Sequence, residues 1–443
     1  MHFLLCLSTL CLVPAARVSA REPEVTYAKR IAPILQKHCQ VCHHPGTAAP
    51  FSLLTYDDAV KWADNIREAV VDGRMPPWFA DPRFGRFSND PRLKPADLKA
   101  VLAWLDTGMK FGNKNDLPPG RKYEDGWLLG KPDVVVTMPK EQEIPAAGTM
   151  PYQYYVTRMD FAEDVFVQAI EAFPGDRTVV HHLDVNFLGN GPTIFNYGPG
   201  VPPLSLPPDC AIRIPARQHL LWNLHYTPNG KPTRDRSALG LTFYRGSKPP
   251  KYLYEFVIVG FGNGNWAIPP GDPNYRVDSE WVVPHDMRLI WLEPHMHLRG
   301  KDFDFRVLYP DGRSDTLLFV PHYDFNWQLM YWLEEPLVLP KGAKILCTAH
   351  YDNSSSNPNN PDPTKEIHWG QQSDEEMMHG GMGVIYEPQP AAVPAEPAPP
   401  ATGNRGVAIT AVACGLSAVL LISLARARLA RYCRSGLQWC KLM

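Results

Sequence analysis

The later part of the chain consists of short β-prone runs interrupted by Pro and Gly, and this pattern constrains the fold more than any other feature. From Lys131 onward such runs recur with turn residues between them, at residues 134–138, 152–158, 165–172 and 239–244. Regular short runs of this kind are typical of strands. The 46 Pro and 32 Gly among 443 residues supply the turns that many strands need. The sequence therefore predicts a strand-and-turn architecture with many loops.

Length and charge limit the function classes. A chain of 443 residues is long enough for about three domains. The 44 Lys and Arg nearly balance the 46 Asp and Glu, so there is no electrostatic case for a nucleic-acid partner. Two cysteines of the body, Cys210 and Cys347, could pair in an oxidising compartment, but the sequence does not decide it.

Both ends of the chain carry segments typical of an exported, membrane-tethered protein. Residues 1–20 have an apolar core and end in small residues, which predicts a cleaved signal peptide, with a buried N-terminal strand as the alternative. A Pro- and Ala-rich linker at 388–406 precedes an uncharged run at 407–425, long enough for a transmembrane helix. The Arg-rich tail at 426–443 predicts a cytoplasmic C-terminus, with the body on the extracytoplasmic side. A buried core helix would explain neither the linker nor the tail.

The segment 21–115 contains the motif Cys39-Gln-Val-Cys42-His43. This spacing allows two thioether bonds to one covalent haem c while His43 binds the iron. A zinc or thioredoxin-like site is the alternative, but no second Cys pair completes a zinc site. Flanking segments with helical apolar spacing, the last one opening at Pro95, predict a small, mostly helical c-type cytochrome domain.

A sixth ligand to the haem iron is expected downstream of the motif. Met75 lies in the Pro-containing stretch Arg74-Met75-Pro76-Pro77-Trp78. A thioether ligand raises the reduction potential and suits electron transfer. Core packing of Met75 is the alternative.

Three histidines in the next part of the chain suggest a metal site. His181 and His182 are adjacent in a β-prone run, and His225 follows in the context Leu-His-Tyr, with His219 nearby. Adjacent residues of a flat strand face opposite ways, so both can bind one ion only where a bulge or strong twist turns them together. Three imidazoles with an open position would form a redox or hydrolytic metal centre.

A second set lies further on, in Leu292-Glu293-Pro294-His295-Met296-His297. On an extended strand, side chains at i and i+2 leave the same face, so His295 and His297 could share an ion. Two imidazoles with the thioether of Met377 would be a soft ligand set that favours Cu(I) over zinc. The alternative is that Met377 and Met378 fill gaps in the core.

The order His-His, Leu-His-Tyr, His-x-His and Glu-Met resembles the copper type II, ascorbate-dependent monooxygenases, which include peptidylglycine α-hydroxylating and dopamine β-monooxygenases. The resemblance implies two all-β sandwich domains of jelly-roll-like topology, at 128–250 and 251–387, that flank an open cleft with one copper ion on each. It implies that His181, His182 and His225 hold the electron-accepting copper. It further implies that His295, His297 and Met377 form the catalytic site that binds O₂.

The chain departs from the peptide-hydroxylating members of that family at several positions. An Arg that helps hold the substrate carboxylate is replaced by Glu293, and an Asn and a Tyr after the ligand Met are replaced by His379 and Gly381. Peptide amidation is therefore not expected. The residue after the ligand Met is Met378 rather than Cys, and most of the family's disulfides are missing.

Together these features predict a three-part fold: a small all-α c-type cytochrome domain, two all-β sandwich copper domains and a single C-terminal transmembrane helix. The expected function is a copper-dependent monooxygenase that uses O₂ to hydroxylate a C–H bond of a small organic substrate. Its two copper ions would receive electrons through the fused haem, from ascorbate or from a periplasmic or membrane donor. The alternatives are a non-catalytic haem and copper electron-transfer or redox-sensing protein, and a plain interaction module with surface histidines.

Overall fold

The structure, a computed structural model, describes residues 24–388 apart from 46, 48, 124–125, 190–192, 199–200 and 261–263. The predicted signal peptide, almost all of the linker, the 407–425 segment and the basic tail lie outside the described residues. Within the described part of the chain, no helix is long and apolar enough to span a bilayer.

The helices are confined to the N-terminal part of the described chain. A π-helical turn at Tyr27–Ile31 leads into α1, and a single 3₁₀ turn at Lys114–Asp116 follows the last of four α-helices: α1 Ala32–His38, α2 Tyr56–Lys61, α3 Ala63–Val71 and α4 Pro95–Asp106. Thr55 and Asp58 form a reciprocal capping box at the start of α2. Pro95 occupies the first turn of α4, where its missing N–H costs nothing.

The remainder of the described chain is built from strands. Those of the first half are β1 Val134–Thr137, β2 Gln142–Ile144, β3 Gln153–Arg158, β4 Val165–Phe173, β5 Val180–Phe187, β6 Thr193–Tyr197, β7 Leu204–Ser205, β8 Cys210–Ile214, β9 His219–Tyr226, β10 Thr233–Asp235 and β11 Ala238–Phe243. Those of the second half are β12 Tyr252–Val259, β13 Ala267–Ile268, β14 Tyr275–Val282, β15 Met287–His295, β16 Gly300–Leu308, β17 Ser314–Val320, β18 Tyr331–Leu339, β19 Lys344–Tyr351, β20 Ile367–His368 and β21 His379–Tyr386.

A single nine-stranded sheet runs through both halves. Its order is β1-β11-β4-β8-β12-β21-β15-β18, with β7 beside β4. The four-stranded sheet β3-β9-β5-β6 covers one end, and the four-stranded sheet β14-β19-β16-β17 covers the other. Each pair of layers encloses its own hydrophobic core. Strands such as β19, in which buried and half-exposed residues alternate, turn one face to that core.

The predicted division into a separate all-α cytochrome domain followed by two separate sandwiches is wrong for the described chain. Helices make up only about 12% of it, and residues up to Pro388 form one compact unit. The two sandwiches are continuous because β8 and β12 pair in parallel, with Cys210 opposite Tyr252. Hydrogen bonding between these strands therefore joins the halves, where the sequence pattern suggested independent domains.

The helical segment is also not an independent domain, because the stretch between α3 and α4 packs on the second half. Trp78 is buried in the second core, with its ring 4.7 Å from that of Tyr331. The amide of Ser88 donates to the carbonyl of Trp332 over 2.8 Å. The side chain of Asn89 donates to the Met330 carbonyl over 2.7 Å and accepts from the Trp332 amide over 3.0 Å. These contacts have no local sequence signal.

Candidate metal centre

Three histidines of the first half converge on one point. His181 and His182 lie on β5, and His225 lies on the neighbouring strand β9. Their candidate ligand nitrogens all lie within 4.8 Å of one another. The pairing of β5 with β9 is irregular between Val180 and His182, and His182 stands opposite His225. This irregularity is the bulge that adjacent histidines need in order to face one ion. We call these residues the histidine triad.

The spacing of the triad rings fits a shared ion. Two imidazoles bound to one metal ion through bonds of about 2.0–2.1 Å at a tetrahedral angle have ring centroids about 5.2 Å apart. The centroid of His225 lies 5.1 Å from that of His181 and 5.2 Å from that of His182, and the two adjacent rings are 5.9 Å apart. The three side chains are therefore close to ligand geometry.

The triad offers its Nδ1 atoms. All three Nδ1 atoms are buried and have no hydrogen-bond partner among the described residues. Burial lowers the pKa of His181 and His182, and it lowers the pKa of His225 to about 3. These imidazoles are consequently neutral at pH 7, which is the form that binds metal. Buried unpartnered nitrogens on neutral rings are a reason to expect a cation at this position.

His219, the other histidine of β9, does not join the triad. It begins the strand that His225 nearly ends, and its Nδ1 is 3.1 Å from the carbonyl of Arg217.

His295 and His297 form a second group, with ring centroids 5.3 Å apart. This separation also matches two imidazoles on one ion. The expectation that both lie on one strand is only half right, because β15 ends at His295 and His297 lies in the turn that follows. The short distance between the two rings therefore depends on the contacts that hold this turn in place.

This second group offers the opposite ring nitrogen. His295 Nδ1 lies 2.7 Å from Oε1 of Gln328, and His297 Nδ1 lies 3.2 Å from the carbonyl oxygen of Glu375. Since a carbonyl oxygen can only accept, both Nδ1 atoms donate, and the Nε2 lone pairs are left for a ligand. Burial lowers the pKa of His295 to about 4, and it lowers the pKa of His297 well below its usual value. Both rings are thus neutral ligands.

The segment that carries Met377 holds the His297 turn. The carboxylate of Glu376 accepts from the amide of His297 over 2.9 Å and from the amide of Arg299 over 2.6 Å. Glu376 is fully buried, and burial raises its pKa to about 8. The hydroxyl of Tyr351 donates to the carbonyl of Met377 over 2.9 Å. The backbone of Met377 is therefore fixed beside the His297 turn.

The two adjacent methionines differ in their surroundings. Met378 belongs to the second hydrophobic core, as the core-packing alternative expects. Met377 is 7% exposed and is not a member of the hydrophobic cores in the described chain. We call His295, His297 and Met377 the His-x-His group.

Two residues at the site were missed by sequence reasoning, Gln328 and Phe325, which come from the loop between β17 and β18. Glu376 belongs to the Glu-Met motif noted in the sequence, but no role was predicted for it. His379, noted in the sequence as a departure from the family, pairs with His295 across β21 and β15, and their ring centroids are 5.7 Å apart.

Glu293 is buried between the two halves, two residues before His295. It is 3% exposed, and its Oε1 accepts a hydrogen bond from Nδ2 of Asn196 on β6. Burial raises the pKa of Glu293 to about 8. The peptide hydroxylases that the sequence resembles have an Arg at this position. This chain has instead a buried carboxyl group that is hydrogen-bonded to Asn196 of the first half.

The Cys-x-x-Cys-His motif follows α1, and its role in attaching a haem stays a prediction. Cys39 and Cys42 are free thiols. Nδ1 of His43 lies 3.1 Å from the carbonyl of Phe51, which leaves Nε2 to face an iron. The predicted partner Met75 lies in the loop after α3, where its amide donates to the Ala69 carbonyl over 3.1 Å. Its role as a sixth ligand stays a prediction.

One electrostatic interaction connects the motif with strand β6. Burial raises the pKa of Tyr197, and the nearby Cys42 thiol adds to the rise. Tyr197 ends β6 and pairs with Leu183, two residues from His181 on β5.

Four further residues of the described chain have structural surroundings: Cys210, Cys347, His350 and Asn353. Cys210 and Cys347 are buried free thiols in different cores, so they are not bonded to each other. His350 Nδ1 lies 2.7 Å from a carboxylate oxygen of Asp302. Asn353 anchors the turns around it, with its side chain accepting from Arg299 and donating to the carbonyls of Pro269 and Lys365.

Comparisons with known proteins do not assign this chain. No protein-family model matches it, and no curated protein does. Among solved structures it is similar to a turret protein of Sulfolobus turreted icosahedral virus, with 9% identity over 58% of this chain and 100% of that chain and a TM-score of 0.13. A subviral particle protein of infectious bursal disease virus has 8% identity over 58% of this chain and 71% of that chain, with a TM-score of 0.17. At such TM-scores these similarities support neither a fold nor a function.

Proposed function

We propose that this protein is a copper-dependent monooxygenase that hydroxylates a C–H bond of a small organic substrate. One atom of O₂ would enter the C–H bond and the other would leave as water, which takes two electrons and two protons. The observation that carries the proposal is the pair of neutral histidine groups that offer opposite nitrogens, Nδ1 in the triad and Nε2 in the His-x-His group. Two such groups side by side suit a reaction that needs two electrons.

Copper is the metal that the donor set favours. Imidazole suits several transition metals, and a thioether in the Met377 position adds a soft ligand that favours Cu(I). When bound, copper would supply O₂ binding and one-electron chemistry. The role of the protein would be to present neutral imidazoles and to keep the centre buried. Gln328 and the carbonyl of Glu375 would fix the tautomers of His295 and His297.

The haem motif supports a built-in electron supply. A haem on Cys39, Cys42 and His43 would place an electron donor in the same chain as the two histidine groups. In the resembling family the position of the triad accepts electrons, so the triad is the expected acceptor from this haem. The reductant that loads the haem, ascorbate or another donor, stays open.

The direct test is O₂-dependent oxidation of reduced haem in copper-loaded full-length protein. We expect haem oxidation to need copper, and we expect ¹⁸O from ¹⁸O₂ to appear in a product detected by mass spectrometry in substrate mixtures. His225→Ala and His297→Ala should each abolish product formation. His368→Ala is a matched control, since the His368 side chain is 67% exposed and pairs with Glu366. Product formation that persists in His297→Ala would contradict the proposal.

A non-catalytic electron-transfer protein is the second candidate, and one observation favours it. His297 is 1% exposed and Glu293 is 3% exposed, so the centre is closed in this conformation. A buried centre is suited to electron transfer without substrate entry. Copper-dependent haem oxidation without ¹⁸O in any product would favour this candidate over the monooxygenase.

A further inference from the structure

The two histidine groups lie against each other. The ring of His182, in the triad, has its centroid 6.5 Å from that of His295, in the His-x-His group. Within each group the separations are 5.1–5.9 Å. The gap between the groups is therefore only slightly larger than the spacing inside them. It is just too wide for the two rings to share one ion at bond lengths of about 2.0–2.1 Å.

Phe325 packs against both groups at once. Its ring stacks on His181 at 5.4 Å with an interplanar angle of 26°, and it lies 6.3 Å from the ring of His225. The same ring is 5.9 Å from that of His297. Phe325 is 8% exposed. One apolar side chain thus forms a common wall for the two groups, as expected for a single enclosed centre.

Hydrogen bonds across the two halves hold this arrangement. Asn196 of the first half donates to Glu293 of the second. The amide of Tyr152, whose ring lies 5.2 Å from that of His182, donates to Oε1 of Gln372 over 3.2 Å. Gln372 lies in the segment that leads to Met377. These bonds, together with the pairing of β8 with β12, fix the two groups relative to each other.

We infer that the two histidine groups form one closed dinuclear metal centre, rather than two mononuclear sites that face each other across an open cleft. The inference rests on the proposed function for the identity of the metal as copper. Two Cu(II) ions held by these residues would interact magnetically. The residues would also enclose both ions together, so the second electron would not need to cross solvent.

The test is electron paramagnetic resonance of full-length protein with both positions loaded with Cu(II). Two interacting Cu(II) ions give a dipolar-broadened spectrum and a half-field transition, whereas isolated ions do not. We expect both features in the two-copper protein. We expect neither in His225→Ala or His297→Ala, each of which would hold one copper ion, and we expect His368→Ala to match the unaltered protein.

The outcomes separate the inference from the proposed function. Two copper ions per chain with a spectrum equal to the sum of the two single-site variants would overturn the dinuclear centre and leave the monooxygenase proposal standing. One copper ion per chain at saturation would overturn the dinuclear centre directly, and no bound copper would overturn both proposals. A variant that loses its far-ultraviolet circular dichroism spectrum is replaced by His225→Gln or His297→Gln, which keep a polar side chain at the same position.

Discussion

The triad and the His-x-His group present similar ligands through different structural means. The triad comes from two paired strands, and one bulge in that pairing brings all three side chains together. The His-x-His group comes from a strand end and a turn, and it depends on Gln328, Glu375 and Glu376, which lie 33, 78 and 79 residues away from their histidine partners. The first group is therefore set by local strand register, while the second is set by long-range contacts. Mutations outside the ligands should affect the second group more.

The largest loss of copper binding is expected when a ligand of the triad is removed. His225→Ala should weaken copper binding at the triad by more than about 100-fold, beyond the range seen for partners outside the ligand set. The His-x-His group should keep its ion, because its supports come from other strands and loops. Competition with a chelator of known affinity measures copper binding at the triad. Metal analysis of the purified variant measures how many copper ions remain bound per chain. His219→Ala, on the same strand but outside the triad, is the matched control, and an equal loss there would contradict the assignment.

Glu376→Gln tests whether the second group depends on its remote support. The amide nitrogen of Gln cannot accept a hydrogen bond, so one of the two amides, of His297 or Arg299, loses its partner. Copper binding at the His-x-His group should weaken about 10- to 100-fold, and triad binding should stay unchanged. The control is Glu375→Gln, which leaves the backbone carbonyl that faces His297 in place and changes a side chain that accepts from the amide of Gln372 in a neighbouring turn. If copper binding weakened equally at the triad and at the His-x-His group, Glu376 would support the whole fold instead.

Gln328→Leu tests the tautomer of His295 with the rest of the site retained. The variant removes the acceptor for Nδ1–H, so copper binding at the His-x-His group should fall about 10-fold. Gln328→Glu keeps an acceptor and should restore binding. Nitrogen NMR of the imidazole should report Nδ1–H in the unaltered protein and a mixture of tautomers in Gln328→Leu. If the tautomer mixture is the same in all three proteins, Gln328 does not orient His295.

The smallest effect is expected at the hydrogen bond that ties the two halves together. Asn196→Ala removes the donor to buried Glu293 and should lower the free energy of unfolding by about 1–2 kcal/mol. Copper stoichiometry should stay the same, because no ligand is touched. Denaturant unfolding of the metal-free protein measures the change, with Asn229→Ala as a surface control whose amide donates to Thr178. A loss of copper from Asn196→Ala at unchanged stability would instead place Asn196 close to the ligand set.

The strands and the candidate ligands could be predicted because their signals are local. The alternating burial along β5 and β9 follows from the order of apolar and polar residues. Adjacent histidines at 181–182 can bind one ion only where the strand has a bulge, and the pairing of β5 with β9 is irregular at that point. Helices near 27–38, 56–71 and 95–106 could be predicted from apolar spacing and from Pro95. The supports could not be predicted, because Gln328 and Phe325 lie in a loop whose path is set by packing against distant strands.

Side-chain chemistry indicates which residues could act as ligands, and periodicity along the backbone predicts the strands and turns after Lys131. Contacts in the folded protein set the rest: the two sandwiches share one sheet, the stretch between α3 and α4 belongs to the second core, and each histidine offers a particular ring nitrogen. Each of these depends on contacts between residues far apart in the chain. A neutral histidine has one ring N–H, and the group that accepts from it fixes the tautomer. In the His-x-His group the acceptors are Gln328 and the carbonyl of Glu375, each more than thirty residues along the chain from its histidine.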